Sequence, residues 1–252
     1  MNGLAVVIIT KDESGNIGRC LDSVAWADEC HVVDTGSVDD TVAIAEERGC
    51  TVHRIEWRGF GPSKAYGFTR AASPWILSLD ADEVVTGALA AEIRQALEHD
   101  EGVSGYYLPR LTNFMGRWIY HSAWYPDFVL RLFRREEGRI VPALVHEEIT
   151  VAGATRRLRE PLRHYSYPDA ATYFKKLDRY TTLAAREMMK KKRRYSSPSV
   201  ALKAAASFYR HYISGAGFLD GLDGFVIAAL SSLGTVMKYR KLHRLERDGD
   251  RA

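Results

Sequence analysis

The sequence predicts an α/β protein built on a doubly wound, mostly parallel sheet, and three observations carry that expectation. The run from Leu4 to Ile9 is continuously apolar and β-branched. A strand with one wet face would alternate, so this one reads as covered on both faces. Strand-like and helix-like segments then alternate through the first hundred residues. Finally, three of the strand-like runs end in polar, largely acidic residues, the edge at which open parallel sheets bind ligands.

Each element has its own signal. "LAVVIIT" (4–10) is the first strand, and Ile17, Leu21 and Val24 follow at helical spacing. "CHVVDTG" (30–36) is the second strand. "SVDDTVAIAEERG" then offers Asp39 or Asp40 as helix N-cap and Gly49 as its stop. "TVHRIEW" (51–57) reads as a third strand, 62–72 as a helix, "WILSLD" (75–80) as a fourth strand and Thr86–Glu98 as a helix. After Gly102 aromatic residues crowd the chain in shorter strand-like runs, the texture of an α+β second half. Helical pattern returns over 170–195 and 199–245. The division expected is 1–100, an α/β half; 101–168, the α+β half of the same domain; and 169–252, a basic helical C-terminal region.

With 46% hydrophobic and 27% charged residues, the composition is that of a globular protein. The net charge of +3 conceals a division. Residues 171–252 carry 17 Lys/Arg against 7 Asp/Glu, while residues 1–170 carry 18 against 25. An acidic body with a basic tail predicts that the tail meets an anionic surface. Nucleic acid is disfavoured, because the acidic body would repel a phosphate backbone. Three cysteines, Cys20, Cys30 and Cys50, form no CxxC pair and, with no leader peptide expected, suit a reducing cytosolic setting. The longest apolar run, "FVIAALSSLGTVM" (225–237), falls short of the about 20 residues that span a bilayer, so no transmembrane helix is predicted.

Other chemistries are excluded by their motifs. "GFGPSK" (59–64) lacks the third glycine of a dinucleotide fingerprint, and no GxxxxGK[ST] or GxSxG occurs. What remains is the polar edge: Thr10-Lys11-Asp12-Glu13, Asp34-Thr35-Gly36-Ser37 and Asp80-Ala81-Asp82-Glu83. Any one of these could be a solvated strand end or a helix cap; three at one edge point to a site. Asp80 and Asp82 can turn toward a common point once the chain leaves the pleat, and paired hard oxygens suit Mg2+ or Mn2+. Glu83 reads as a bystander.

"VVIITKDES", "VVDTGSVDDT" and "WILSLDADE", in this order and spacing, resemble the inverting family 2 glycosyltransferases of GT-A fold. "GYYLPR", "GRWIYHSAWYPDFVLRLFRR", "VHEEI" and "HYSY" resemble in particular the bacterial lipopolysaccharide core glucosyltransferase branch, and the likeness runs over roughly residues 4 to 240. The resemblance implies a Rossmann-like nucleotide-sugar half, an acceptor half and C-terminal helices. It implies that Thr10, Lys11 and Glu13 line a nucleoside pocket, that Asp34 meets base or ribose, and that Lys64 and Asp80 face the diphosphate. Asp82 with Asp80 would hold the metal. Thr35 stands where many members have a second acidic residue, and Ala65 replaces a usual asparagine, so the base is less firmly implied than the fold.

For the catalytic base the resemblance implies Asp127, with Glu147 as rival; His146 beside it could add a metal or diphosphate contact. His121, His164 and His211 are left outside the chemistry. The implied activity is transfer of a hexose, glucose from UDP-glucose in this branch, onto a lipopolysaccharide core or similar lipid-linked saccharide. Alternatives are a polyprenyl-phosphate or other glycan acceptor, or a nucleotide-binding protein without catalysis. The basic C-terminal region would hold the enzyme on the inner face of the cytoplasmic membrane; the alternative is a helical cap on its own body or on a second subunit.

Overall fold

The computed structural model describes residues 3–99, 102–141, 148–191 and 197–249. In chain order the first elements are β1 (Leu4–Thr10), α1 (Ser14–Asp22), β2 (Glu29–Asp34), α2 (Thr41–Glu47), β3 (Thr51–Arg54), α3 (Phe60–Phe68), β4 (Trp75–Asp80), β5 (Glu83–Val85) and α4 (Gly87–Glu98). Then follow β6 (Val103–Phe114), β7 (Arg117–Trp118), β8 (Asp127–Arg134), β9 (Arg139–Val141), β10 (Glu148–Thr150), β11 (Ala154–Arg157), β12 (Leu162–Tyr167), α5 (Ala170–Lys190), α6 (Ser197–Tyr209) and α7 (Gly221–Gly249). Two compact units result, Met1–Leu111 with Asp127–Tyr165, and Thr112–Pro126 with Ser166–Ala252.

In the first unit β3, β2, β1 and β4 lie side by side and parallel. The alternation of β1 explains its unbroken apolar sequence. Leu4, Val6 and Ile8 pack with Ile17 and Leu21 of α1 and with Leu89 and Ile93 of α4 on one face. Ala5, Val7 and Ile9 pack with Phe68 of α3 on the other. The parallel order ends at β4, where β8 pairs antiparallel, followed by β6. That reversal lies next to Asp80, where an open sheet forms its crevice. The register aligns Thr10 with Asp34 and Ile9 with Asp80, so two of the polar strand ends leave the sheet at the same level as the end of β1.

Thr86 caps α4 by accepting a hydrogen bond from the Leu89 amide at 3.1 Å, where the sequence placed a helix start. The third strand is shorter than expected, stopping at Arg54 rather than Trp57, and α3 begins at Phe60 rather than 62. "IEW" has strand-like composition but joins no ladder beyond the Asp34–Arg54 pair.

In the second unit α5, α6 and α7 pack together. Phe114, Ile119, Tyr173 and Ile227 form one apolar centre, and Ala185, Val200, Tyr239 and Leu242 another. The sequence expectation of no helix able to span a membrane needs correction. The helical stretch Gly217–Asp248 contains an 18-residue window of mean hydropathy 1.3, long and apolar enough to cross, and only 22% of that window is buried. The 13-residue run at 225–237 underestimated it because the small and apolar residues just before Phe225 continue the same helix.

Candidate functional site

The site lies in the first unit, at the strand ends. At the end of β1, the Thr10 carbonyl accepts from the amide and the hydroxyl of Thr35, both at 3.1 Å. Asp12, at φ 53°, accepts the Val38 amide at 2.8 Å through Oδ1. Glu13 receives Asn16 Nδ2 at 2.6 Å, and Lys11 is exposed beside it. Asp34 is 2% exposed, and its carboxylate accepts the amides of Gly36 (3.1 Å) and Ser37 (3.2 Å) and the Ser37 hydroxyl. This carboxylate therefore shapes the 35–37 turn.

The acidic end of β4 is neutralised from three sides. Lys64, on α3, reaches Asp80 Oδ1 at 3.0 Å. Arg131, on β8, reaches Asp80 Oδ2 at 2.5 Å and Glu83 Oε1 at 2.6 Å. Arg110, on β6, lies 3.6 Å from Glu83 and places Nε and Nη2 on Asp127 Oδ2 at 3.0 and 2.6 Å. Burial opposes ionisation of Asp80, but Arg131 and Lys64 outweigh it and hold the carboxyl well below the usual range. Burial likewise disfavours the Arg131 cation, and Asp80 with Glu83 reverse that and raise its affinity for the proton.

Glu83 is the reverse of a bystander. It is fully buried, accepts the Asp80 amide at 3.0 Å through Oε2, and joins Arg131 and Arg110 through Oε1. The sequence reading missed it because a carboxylate at a strand end looks solvated until the strands that cover it are known. Arg110 and Arg131 were missed for the same reason. Their signal was present in the period of β8, where Asp127 and Arg131 are four residues apart on one face, and Arg110 stands directly across from Asp127.

His164 was also set aside, and it belongs here. β12 pairs with β5 so that His164 faces Glu83 across the ladder, and its Nε2 lies 3.3 Å from Asp82 Oδ2. The Asp82 carboxylate oxygen suits Mg2+ or Mn2+, and an imidazole nitrogen beside it favours a transition ion such as Mn2+ over Mg2+. His164 Nδ1 is buried without a hydrogen-bond partner. Asp80, expected as a second metal ligand, already has both oxygens on cationic side chains. Among the described residues no group of three or more His, Cys, Asp and Glu forms a metal cluster. His146 and Glu147 lie outside the described residues. Thus Lys64, Asp80, Arg131, Glu83, Arg110 and Asp127 form one connected set of charges, the Asp82–His164 pair lies beside it through the β5–β12 ladder, and Thr10 and Asp34 are level with it on neighbouring strands.

The chain matches the model of "Glycosyl transferase family 2" over residues 5–179. An uncharacterized glycosyltransferase of Rickettsia felis is 27% identical over 256 residues, covering 96% of this chain and 90% of the relative. The lipopolysaccharide core biosynthesis glycosyltransferase LpsC of Rhizobium meliloti is 25% identical over 253 residues, covering 96% and 92%. Among solved structures, the Pyrobaculum calidifontis mannosyltransferase PcManGT, in complex with GDP-Man and Mn2+, superposes with a TM-score of 0.59 at 12% identity, covering 95% of this chain and 86% of that one. Glucosyl-3-phosphoglycerate synthase from Mycobacterium tuberculosis, with Mn2+ and UDP, gives 0.50 at 16% identity over 77% and 82%. These likenesses show the GT-A fold that the sequence motifs implied. The family match spans well over half of the chain and includes its whole polar strand edge: the protein belongs to glycosyl transferase family 2.

Proposed function

We propose that the protein is a metal-dependent inverting hexosyltransferase that moves a hexose, glucose from UDP-glucose, onto a lipopolysaccharide core or similar lipid-linked saccharide at the inner face of the cytoplasmic membrane. The observation that carries this reading is the set of groups at the sheet crevice: a carboxylate beside an imidazole (Asp82, His164), a lysine held on the end of β4 (Lys64 on Asp80), and a further carboxylate held by an arginine (Asp127, Arg110). The likeness to LpsC supports the acceptor class, and the GDP-Man bound by one structural relative and the UDP bound by the other support a nucleotide-sugar donor.

Asp82 and His164 would hold Mg2+ or Mn2+, which when bound would offset the charge of the leaving diphosphate. Lys64 adds a second cation for that charge, and Asp80 keeps Lys64 in place. Thr10, Lys11 and Glu13 border the nucleoside, and Asp34 fixes the turn against which it rests. Asp127 is the base. Both Arg110 contacts fall on Oδ2, which leaves Oδ1 to accept the proton of the acceptor hydroxyl as its oxygen bonds to the anomeric carbon and the bond to the diphosphate breaks. Its side chain is 44% exposed, open enough for an incoming saccharide. Attack opposite the leaving group inverts the anomeric centre.

Asp127→Asn should retain UDP-glucose binding, measured by calorimetry with Mg2+ or Mn2+, while losing at least about a hundredfold in transfer, the lower range for a general base. Glu147→Gln should keep most of its activity. An active Asp127→Asn beside a dead Glu147→Gln would move the base to Glu147.

A further inference from the structure

The exposed stripe of α7 reverses the pattern of a helix in a soluble protein. Its inner side is committed: Ile227, Ala228, Tyr239 and Leu242 are buried within the second unit. Its outer side runs Leu222, Phe225, Ala229 and Leu233 at helical spacing, all exposed, with Leu222 at 76%. The same stripe continues through Arg240, Arg244 and Arg247, also exposed. The turn just before α7 adds exposed Phe218 and Leu219, and α6, which packs on α7, adds Leu202 and Tyr209. An exposed apolar stripe of this extent marks an interaction site.

We propose that this face lies in the plane of an anionic lipid bilayer, with the Leu222–Leu233 half at the acyl boundary and the Arg240–Arg247 half among the headgroups. The proposal rests on the membrane-facing reading given above and assigns it to specific residues and to an orientation. Charge complementarity selects the occupant. The second unit carries 18 Lys/Arg against 8 Asp/Glu, and the stripe passes from apolar to cationic along one line. A lipid surface offers both matching layers, whereas a second copy of the chain would bring like charges together.

The packing also opposes a crossing helix. Lys241 Nζ holds Asp178 Oδ1 of α5 at 2.6 Å and the hydroxyls of Thr181 and Thr182 at 2.9 and 2.7 Å. To cross, α7 would either leave α5 or carry Asp178 and Arg179 of α5 into hydrocarbon, which strongly disfavours them.

The test is flotation of the full chain with phosphatidylcholine vesicles, with and without phosphatidylglycerol. Wild type should float with the anionic vesicles and be released by alkaline carbonate. Arg240→Gln, Arg244→Gln and Arg247→Gln together should weaken partitioning about a hundredfold, from the typical contribution of a basic residue at an anionic surface. Leu222→Ser, Phe225→Ser and Leu233→Ser together should abolish flotation even with anionic vesicles, while circular dichroism and UDP-glucose binding stay as in wild type. Flotation unchanged by both variants overturns the proposal, as does retention through carbonate, which would mean a crossing helix. A lipid-free dimer that the serine variant dissociates, with flotation intact, assigns the face to self-association instead. Loss of UDP-glucose binding in wild type would sink the transferase reading and leave the flotation result standing.

Discussion

Glu83 concentrates the energetics of the site in one side chain. It is sealed from solvent, and three groups depend on it: the Asp80 amide, Arg131 and Arg110. A buried charge pair contributes little net stability, because desolvation offsets most of the attraction, but breaking one partner leaves the other uncompensated. Glu83→Ala should therefore cost roughly 3–5 kcal/mol, read as a lowered midpoint in chemical denaturation. Glu136, 87% exposed and 3.7 Å from Arg135, is the control. Its replacement by Ala should change stability by less than about 1 kcal/mol, as exposed pairs do. Equal effects at the two positions would refute the hub role. Nothing in the local sequence separates these glutamates, since the charge that Glu83 meets, Arg131, stands 48 residues further on.

Among the elements, α3 shows how packing delivers a functional group. A Cβ at Gly67 would sit 2.4 Å from Val7 Cγ1 and 2.9 Å from Val33 Cγ2, so the helix rests directly on β1 and β2 because that residue has no side chain. The same closeness lets Lys64, one turn earlier, reach Asp80. Gly67→Ala gains about 1 kcal/mol of helix propensity but overpacks the core at about 1–3 kcal/mol. We expect a lower melting temperature together with weaker UDP-glucose binding as α3 lifts away. A stabilised variant with unchanged donor affinity would show that the contact is slack. The elements themselves were largely legible. β1 and β4 agree with the sequence reading to the residue, because a strand covered on both faces writes its burial into a local run of apolar side chains. β5 and β12 were not: a three-residue strand has too few side chains to show a period, and the six of β12 do not alternate between buried and exposed.

For the molecule as a whole, acid stability depends on carboxylates that tie distant segments. Burial pushes the Glu29 carboxyl up, yet the Ala72 amide, His31 and Ser73 outweigh it and lower it from 4.5 to about 2. Asp39 is held at about 2 by the Thr41 hydroxyl and by Ser14 against slight desolvation. Each folded-state value is depressed, so the stabilisation is full above the unfolded value and is lost as pH falls through the folded one. Stability should thus decline from about pH 4.5 to pH 2, and Glu29→Gln should flatten that slope in urea titrations across the interval. An unchanged slope would mean the Glu29 contacts to residues 72 and 73 are not kept in solution.

The sequence by itself determined the parallel half of the sheet, its polar edge and the family, since two-face burial and strand-end motifs are local and survive without knowledge of neighbours. The placement of Asp80 and Asp34 level with the end of β1 was legible for that reason. Only the tertiary structure decided which side chains complete the site. Arg131 meets Asp80 across 51 residues, Arg110 meets Asp127 only through the β6–β8 register, and His164 reaches Asp82 because β12 closes on β5. Those partners come from antiparallel strands whose order no local period encodes. The free energy that selects them is the pairing of charges that burial would otherwise leave uncompensated.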